Sequence, residues 1–242
     1  VPFAPGDSGA AIGAAYVGHH LAGAVPSRPS RITPRLGPSY SAADCAAAAG
    51  RAGLVARPLA ALGGDPFVAA QLARGRIIGW FDGAMEFGPR ALGARSFLAD
   101  PRHETIRDTI NAKIKKRELF RPFAPSIKEE SAAEYFQGSQ PSPFMTLTLP
   151  VLAHQRDRIP AVTHIDGSAR VQTVRRADHP RYWNLLDRFE KHTGVPLLLN
   201  TSFNIQEPIV CTPEQALATF LHSGVDALVM GNYFIERQMV ER

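Results

Sequence analysis

From residue 36 onward, short continuous apolar runs alternate with stretches in which apolar residues recur at helical spacing, the rhythm of strands interleaved with helices. Runs at 77–81, 126–127, 145–151, 169–174, 195–199 and 227–230 predict strands. The helices between them carry their own start and stop signals. Ser41 and Asp44 form a capping box opening an Ala-rich helix that stops near Gly50 or Gly53. Asp65-Pro66 opens the next, which Gly75 closes, and Thr212-Pro213 opens another that ends at Gly224. Residues 130–136 and 179–192 also read as helices, the second ended by Gly194. Asp100-Pro101 starts a helix in which Ile106, Ile110 and Ile114 repeat every four residues and give it one apolar face. The expected fold is α/β (α+β): a twisted mixed sheet with flanking helices.

Polar residues interrupt this pattern at two places. Arg170 and Gln172 sit two apart in a predicted strand and so share a face, where burial would be costly without partners; the pair is expected to line a polar cleft. The apolar run at 195–199 leads into Asn200-Thr201-Ser202-Phe203-Asn204, at the strand end where such sheets usually place ligands. An ordinary Asn/Ser turn is the other reading of that segment.

The stretch 79–126 is the chemical centre of the chain. It sets Arg90, Arg95, Lys115, Arg117 and Arg121 among glycines and prolines, with Gly88-Pro89 before one arginine and Pro122 after another. Rigid turns beside guanidinium groups point to positioned anion ligands, because the planar fork of Arg matches phosphate or carboxylate oxygens two at a time. Lys113, Lys115, Lys116 and Arg117 also gather at a predicted helix C-terminus, where the helix dipole alone favours cations.

Composition narrows the partners. The 242 residues are 45% hydrophobic and 20% charged, with a net charge of +5, which favours acidic partners such as nucleotides or phosphorylated metabolites. Cys45 and Cys211 are far apart, so a disulfide framework or Cys-rich metal site is not indicated, and a reducing cytoplasm is the expected compartment. No apolar run approaches the roughly 20 residues that span a bilayer, so no membrane association is expected. Residues 1–33 are Gly/Ala-rich and read as a small-residue helix and a linker around Pro26, Ser27, Pro29 and Ser30. Asp7-Ser8 lies in a GDSG tetrapeptide, yet too little chain precedes it for the His and Asp that the chymotrypsin order requires upstream. His19-His20 has no third ligand nearby in sequence and reads as two surface residues. Phosphate-loop, dinucleotide, zinc-helix and nucleophile-elbow motifs are all missing. Enzymatic chemistry on phosphates would therefore rest on positioning and charge neutralisation.

Taken together and in order, EFGPRALGARS, FRPFAPS and LLLNTSFN closely resemble the C-terminal region of the nodulation-factor and antibiotic O-carbamoyltransferases. The resemblance extends over most of residues 34–236 and implies a YrdC-like domain at 34–242 that makes carbamoyl-adenylate from carbamoyl phosphate and ATP, releasing pyrophosphate. Residues 1–33 then resemble the last segment, with linker, of an upstream actin-like ATPase-type domain that moves the carbamoyl group to a hydroxylated acceptor. The resemblance implies Arg90, Lys115, Arg121 and Arg170 as the basic ligands, and Asn200 and Ser202 as neutral ones. Arg117 and Gln172 are added as substrate contacts from their position in the basic cluster and on the Arg170 strand face. A phosphate site of this kind is expected to receive Mg²⁺ with the nucleotide, and the resemblance implies Asp7 as one ligand to an iron or other divalent metal completed by the upstream domain. Two positions depart from the family's usual pattern: Ala84 follows Gly83 where an arginine is common, and Ala94 stands where Asn is usual. A homodimer is left open. Two rival readings also stand: a basic YrdC-like RNA- or nucleotide-binding module, and a threonylcarbamoyl-adenylate synthase for tRNA modification. Aromatics are only 8% of the chain and form no stacking motif, which weighs against RNA.

Overall fold

The computed structural model describes residues 2–25 and 32–237. The expected linker prolines and serines at 26–30 lie outside the described residues. Nine strands form one mixed sheet: β1 (Ala56–Pro58), β2 (Ile78–Phe81), β3 (Arg95–Ala99), β4 (Ala124–Lys128), β5 (Leu147–Pro150), β6 (Ser168–Val174), β7 (Leu197–Ser202), β8 (Ala227–Met230) and β9 (Tyr233–Glu236). Their spatial order is β1-β9-β8-β2-β3-β7-β4-β6-β5. Among the described residues, only the β2/β8 and β4/β6 pairs are parallel. The helices are α1 (Asp7–Leu21), α2 (Ala42–Arg51), α3 (Leu59–Leu62), α4 (Asp65–Ala73), α5 (Glu104–Thr109), α6 (Pro180–Thr193) and α7 (Pro213–His222).

The central strands are apolar because helices and loops cover them. Leu197, Leu198 and Leu199 of β7 and all four residues of β8 are buried. Helix α6 packs on β4 and β7, and α4 packs on α6; α7 packs on β2 and β8, and α2 on α7. The predicted capping box forms at α2, Ser41 with Asp44, and the predicted helix start at Thr212 proves to be a second one, Thr212 with Gln215 at α7.

Tertiary context altered several local expectations. The helix expected from Asp100-Pro101 starts at Glu104, because Asp100 is fully buried and its carboxylate receives Arg102. That helix then widens into a π-turn over Ile110–Ile114, which keeps Ile110 and Ile114 in the core but turns Lys115 inward. Residues 129–134 form a 3₁₀ turn rather than an α-helix. Strands β1, β3 and β9 carry no readable period; β3, with Arg95 and Ser96, forms only because β2 and β7 flank it. Strand β7 also runs three residues beyond its apolar core, through Asn200 and Thr201 to Ser202.

Candidate anion-binding site

Register brings three polar side chains together on neighbouring strands. Ser126 of β4 pairs with Gln172 of β6, and Asn200 lies two residues beyond the Ser126 partner on β7, hence on the same face. The Asn200 amide group donates from Nδ2 to Ser126 Oγ (3.0 Å), Gln172 Oε1 (3.1 Å) and the Ala91 carbonyl (3.2 Å). Since the Ala91 carbonyl can only accept, the amide orientation is settled, and Oδ1 is left buried without a partner.

Above this ladder runs the loop that joins β2 to β3. Gln172 Nε2 donates to the Leu92 carbonyl (2.8 Å), and Trp80 Nε1 to that of Gly93 (3.0 Å). The buried Glu86 carboxylate accepts the Leu92 and Ala94 amides, both at 2.7 Å. Glycine is required at two points of this loop. Gly93 has φ +103°, and a Cβ there would come within 2.5 Å of the Tyr182 ring; Gly88 has φ +119°, and a Cβ would lie 2.9 Å from the Phe3 carbonyl. A loop tied down at so many points holds Arg90 in place.

A third segment arrives from the π-turn. Asn111 accepts from Arg117 Nε (2.8 Å) and donates to the Leu119 and Arg121 carbonyls (3.2 and 3.0 Å), so one buried amide shapes residues 117–121. The Arg117 guanidinium lies over the Phe123 ring at 4.9 Å. Two non-glycine residues adopt left-handed backbone near these arginines, Lys116 (φ 47°) and Met145 (φ 54°). Such strain persists where the surroundings over-determine it, typically at sites.

The three segments enclose a cavity of about 120 Å³ lined by Arg90, Arg117, Arg170, Asn200 and Ser202, with Met145 on its wall and no carboxylate among its lining residues. Among the described residues, none of Arg90, Arg117, Arg121 or Arg170 forms an ion pair with an acid. Arg170 is pushed down to about 10 by burial and then by the charges of Arg90 and Arg117, and its Nε is buried without a partner. Arg117 is likewise lowered, by burial first and then by Arg121. Crowded, uncompensated guanidinium groups are stable only if something negative joins them. The cavity has the cationic lining of an anion receptor, with the unpartnered Asn200 Oδ1 buried in one of its lining residues.

Five of the expected site residues therefore converge: Arg90, Arg117, Arg170, Asn200 and Ser202. The others are placed differently. Lys115 sits behind the cavity with Nζ on four oxygens of Ser202 and Asn204. Burial and the nearby Arg117 charge push it down to about 7. Gln172 lies beneath Asn200 with its amide spent on the ladder, and the Arg121 side chain is exposed rather than lining the cavity. Asp7 is exposed at the first turn of α1, and no group of three His, Cys, Asp or Glu able to hold a metal exists among the described residues. Arg95, grouped with the anion ligands in the sequence reading, is a structural cation. It is wholly buried, stacks 3.7 Å over Phe81 and donates to the carbonyls of Gly83, Ala94 and Pro38. Glu86, Asn111 and Tyr182 were missed; only the Gly-Pro and Leu-Gly spacing around Arg90 hinted at a loop needing such support.

The family model described as carbamoyltransferase C-terminus matches residues 69–237, a span that includes every residue lining the cavity. The chain belongs to that family. Among similar proteins, nodulation protein NolNO of Sinorhizobium fredii (strain NBRC 101917 / NGR234) is 52% identical over 171 residues, covering 69% of this chain and 25% of its own length. Nodulation protein NolO of Bradyrhizobium diazoefficiens is 48% identical, covering 69% and 31%. The chain thus spans under a third of the length of these relatives. Two solved structures share the YrdC-like fold: full-length HypF in a phosphate- and nucleotide-bound form (TM-score 0.51, 17% identity, covering 71% of this chain and 25% of that one) and P. abyssi Sua5 complexed with L-threonine (0.52, 15%, 70% and 47%). No helix among the described residues of this carbamoyltransferase C-terminal region is long and apolar enough to cross a membrane.

Proposed function

We propose that this region forms carbamoyl-adenylate from carbamoyl phosphate and ATP. The observation that carries the reading is the arginine trio, with no ion pair to an acid among the described residues, sharing one cavity with Asn200, whose Oδ1 is unspent. A carbamate presents two oxygens and an N–H group, and that donor set matches a guanidinium beside a carbonyl acceptor. Water cleaves carbamoyl phosphate to carbamate and phosphate. A carbamate oxygen then attacks the α-phosphorus of ATP, the bond to the β-phosphate breaks, and pyrophosphate leaves. Two anions must meet for this to happen, and their repulsion in a partly dry site is the main obstacle. Arg90, Arg117 and Arg170 neutralise it. Arg170 Nε and Asn200 Oδ1 orient the carbamate, Ser202 borders the bound reactants with its hydroxyl donated to Asn204 Oδ1 (2.7 Å), and Lys115 and Gln172 hold Ser202 and Asn200. With no carboxylate in the cavity, the chain's residues do not fit a resident Mg²⁺. That ion enters on the nucleotide's phosphates.

Transfer to a hydroxylated acceptor needs a second site. That site would lie in the actin-like part of a longer protein, to which residues 1–33 would belong and Asp7 would lend a metal ligand, in the cytoplasm.

The test is pyrophosphate release from ATP, measured with carbamoyl phosphate and, separately, with threonine and bicarbonate. Release with carbamoyl phosphate alone is expected. Release with threonine alone would transfer the chain to the tRNA-modification reading, and a steep salt-dependent affinity for RNA without nucleotide binding would remove the enzymatic reading.

A further inference from the structure

A cavity of about 120 Å³ is far below the roughly 300 Å³ and more of sites that enclose a whole drug-sized ligand. It has room for a phosphate or carbamate group, so the nucleoside of any bound nucleotide must lie across its rim. A slot of about 360 Å³ shares the Pro122 wall with the cavity and is lined on its apolar side by Phe120 and Ile165. The cavities of about 330 and 350 Å³ elsewhere share no lining residue with it. Phe120 is 73% exposed and Ile165 95%, and Phe120 is the only Phe or Trp left so bare among the described residues. Water gains nothing from such a pair; a flat aromatic ring would cover both.

We propose that Phe120, Pro122 and Ile165 form the platform for the purine ring of the nucleotide whose phosphates occupy the arginine cavity. The inference rests on the anion-site reading above. Stacking of a base on an aromatic side chain is lost on substitution by alanine, and the ring needs no matching charge, in keeping with a slot whose Asp166 is already taken by Ser168.

Calorimetric titration of the 242-residue chain with MgATP and with magnesium tripolyphosphate tests it. Phe120→Ala and Ile165→Ser alter exposed side chains and leave the core untouched. Each is expected to weaken ATP about 5-fold or more while leaving tripolyphosphate within about 2-fold. If ATP binds both variants as well as the parent, or binds the parent no tighter than tripolyphosphate does, the platform is wrong although the anion site stands. Parallel losses for both ligands would also overturn it, by showing that Phe120 shapes the arginine loop. Binding of neither ligand to the parent chain would remove the anion site and the platform together.

Discussion

Lys115 Nζ donates to the carbonyl oxygen of Ser202 at 2.6 Å and contacts its Oγ at 3.1 Å, tying the end of β7 to the π-turn that follows α5. The same ammonium reaches the carbonyl and Oδ1 of Asn204 at 2.9 and 2.7 Å. A buried lysine so engaged positions the loop it holds, and its charge state links site geometry to pH.

The sign of that linkage is fixed by direction. Burial lowers the Lys115 ammonium from 10.5 to about 7. Below about pH 7 both native and unfolded chains keep the proton, and the burial cost is present in full. Between about 7 and 10.5 the unfolded chain binds more protons, so native stability rises with pH. Urea unfolding of the parent and of Lys115→Met should give a stability difference that moves in the parent's favour across that window. A difference independent of pH would contradict the assignment.

Arg170→Gln separates function from stability. The substitution removes one of three mutually repelling cations from a partly buried cavity, so the melting temperature should stay level or rise. Carbamoyl-phosphate-dependent pyrophosphate release should fall by about 100-fold or more, the usual loss for one preorganised contact. A variant as active as the parent would show that Arg170 does not meet the reactants.

Asn200→Asp is nearly isosteric yet places an oxygen where Nδ2 now donates to Ala91, Ser126 and Gln172. The buried ladder loses its shared donor, and denaturant unfolding should show a loss of about 1–3 kcal/mol. Unaltered stability would mean that the ladder rearranges freely.

Arg95→Lys should behave as a folding defect. A lysine cannot reach several backbone carbonyls from one planar group while stacking on Phe81. The expected loss is on the order of 3 kcal/mol, read by thermal unfolding. Nucleotide affinity of the fraction that remains folded should be unchanged.

Much of the architecture was open to reading along the chain. Buried strands such as β8 are unbroken apolar runs, and the caps at Ser41 and Thr212 are local hydrogen-bonding devices whose partners lie three residues away. The motifs around Arg90, Arg121 and Asn200 likewise marked segments that the fold brings to one cavity, because rigid turns leave Gly and Pro in the sequence. Strand β3 and the inward turn of Lys115 were not legible, since each exists only by virtue of neighbours distant in sequence.

Residue type and local spacing therefore determined the buried apolar strands, the capped helix starts at Ser41 and Thr212, and that cations are concentrated beside rigid turns. Tertiary structure alone decided which cations face one another. Arg90, Arg117 and Arg170 come from three separate segments and meet over β7, while Arg95, only five residues from Arg90, points into carbonyl oxygens and the Phe81 ring. An isolated guanidinium carries the same charge in either place; whether it awaits an anion or holds the backbone depends on sheet register, a property of pairing across the fold and not of any one stretch of chain.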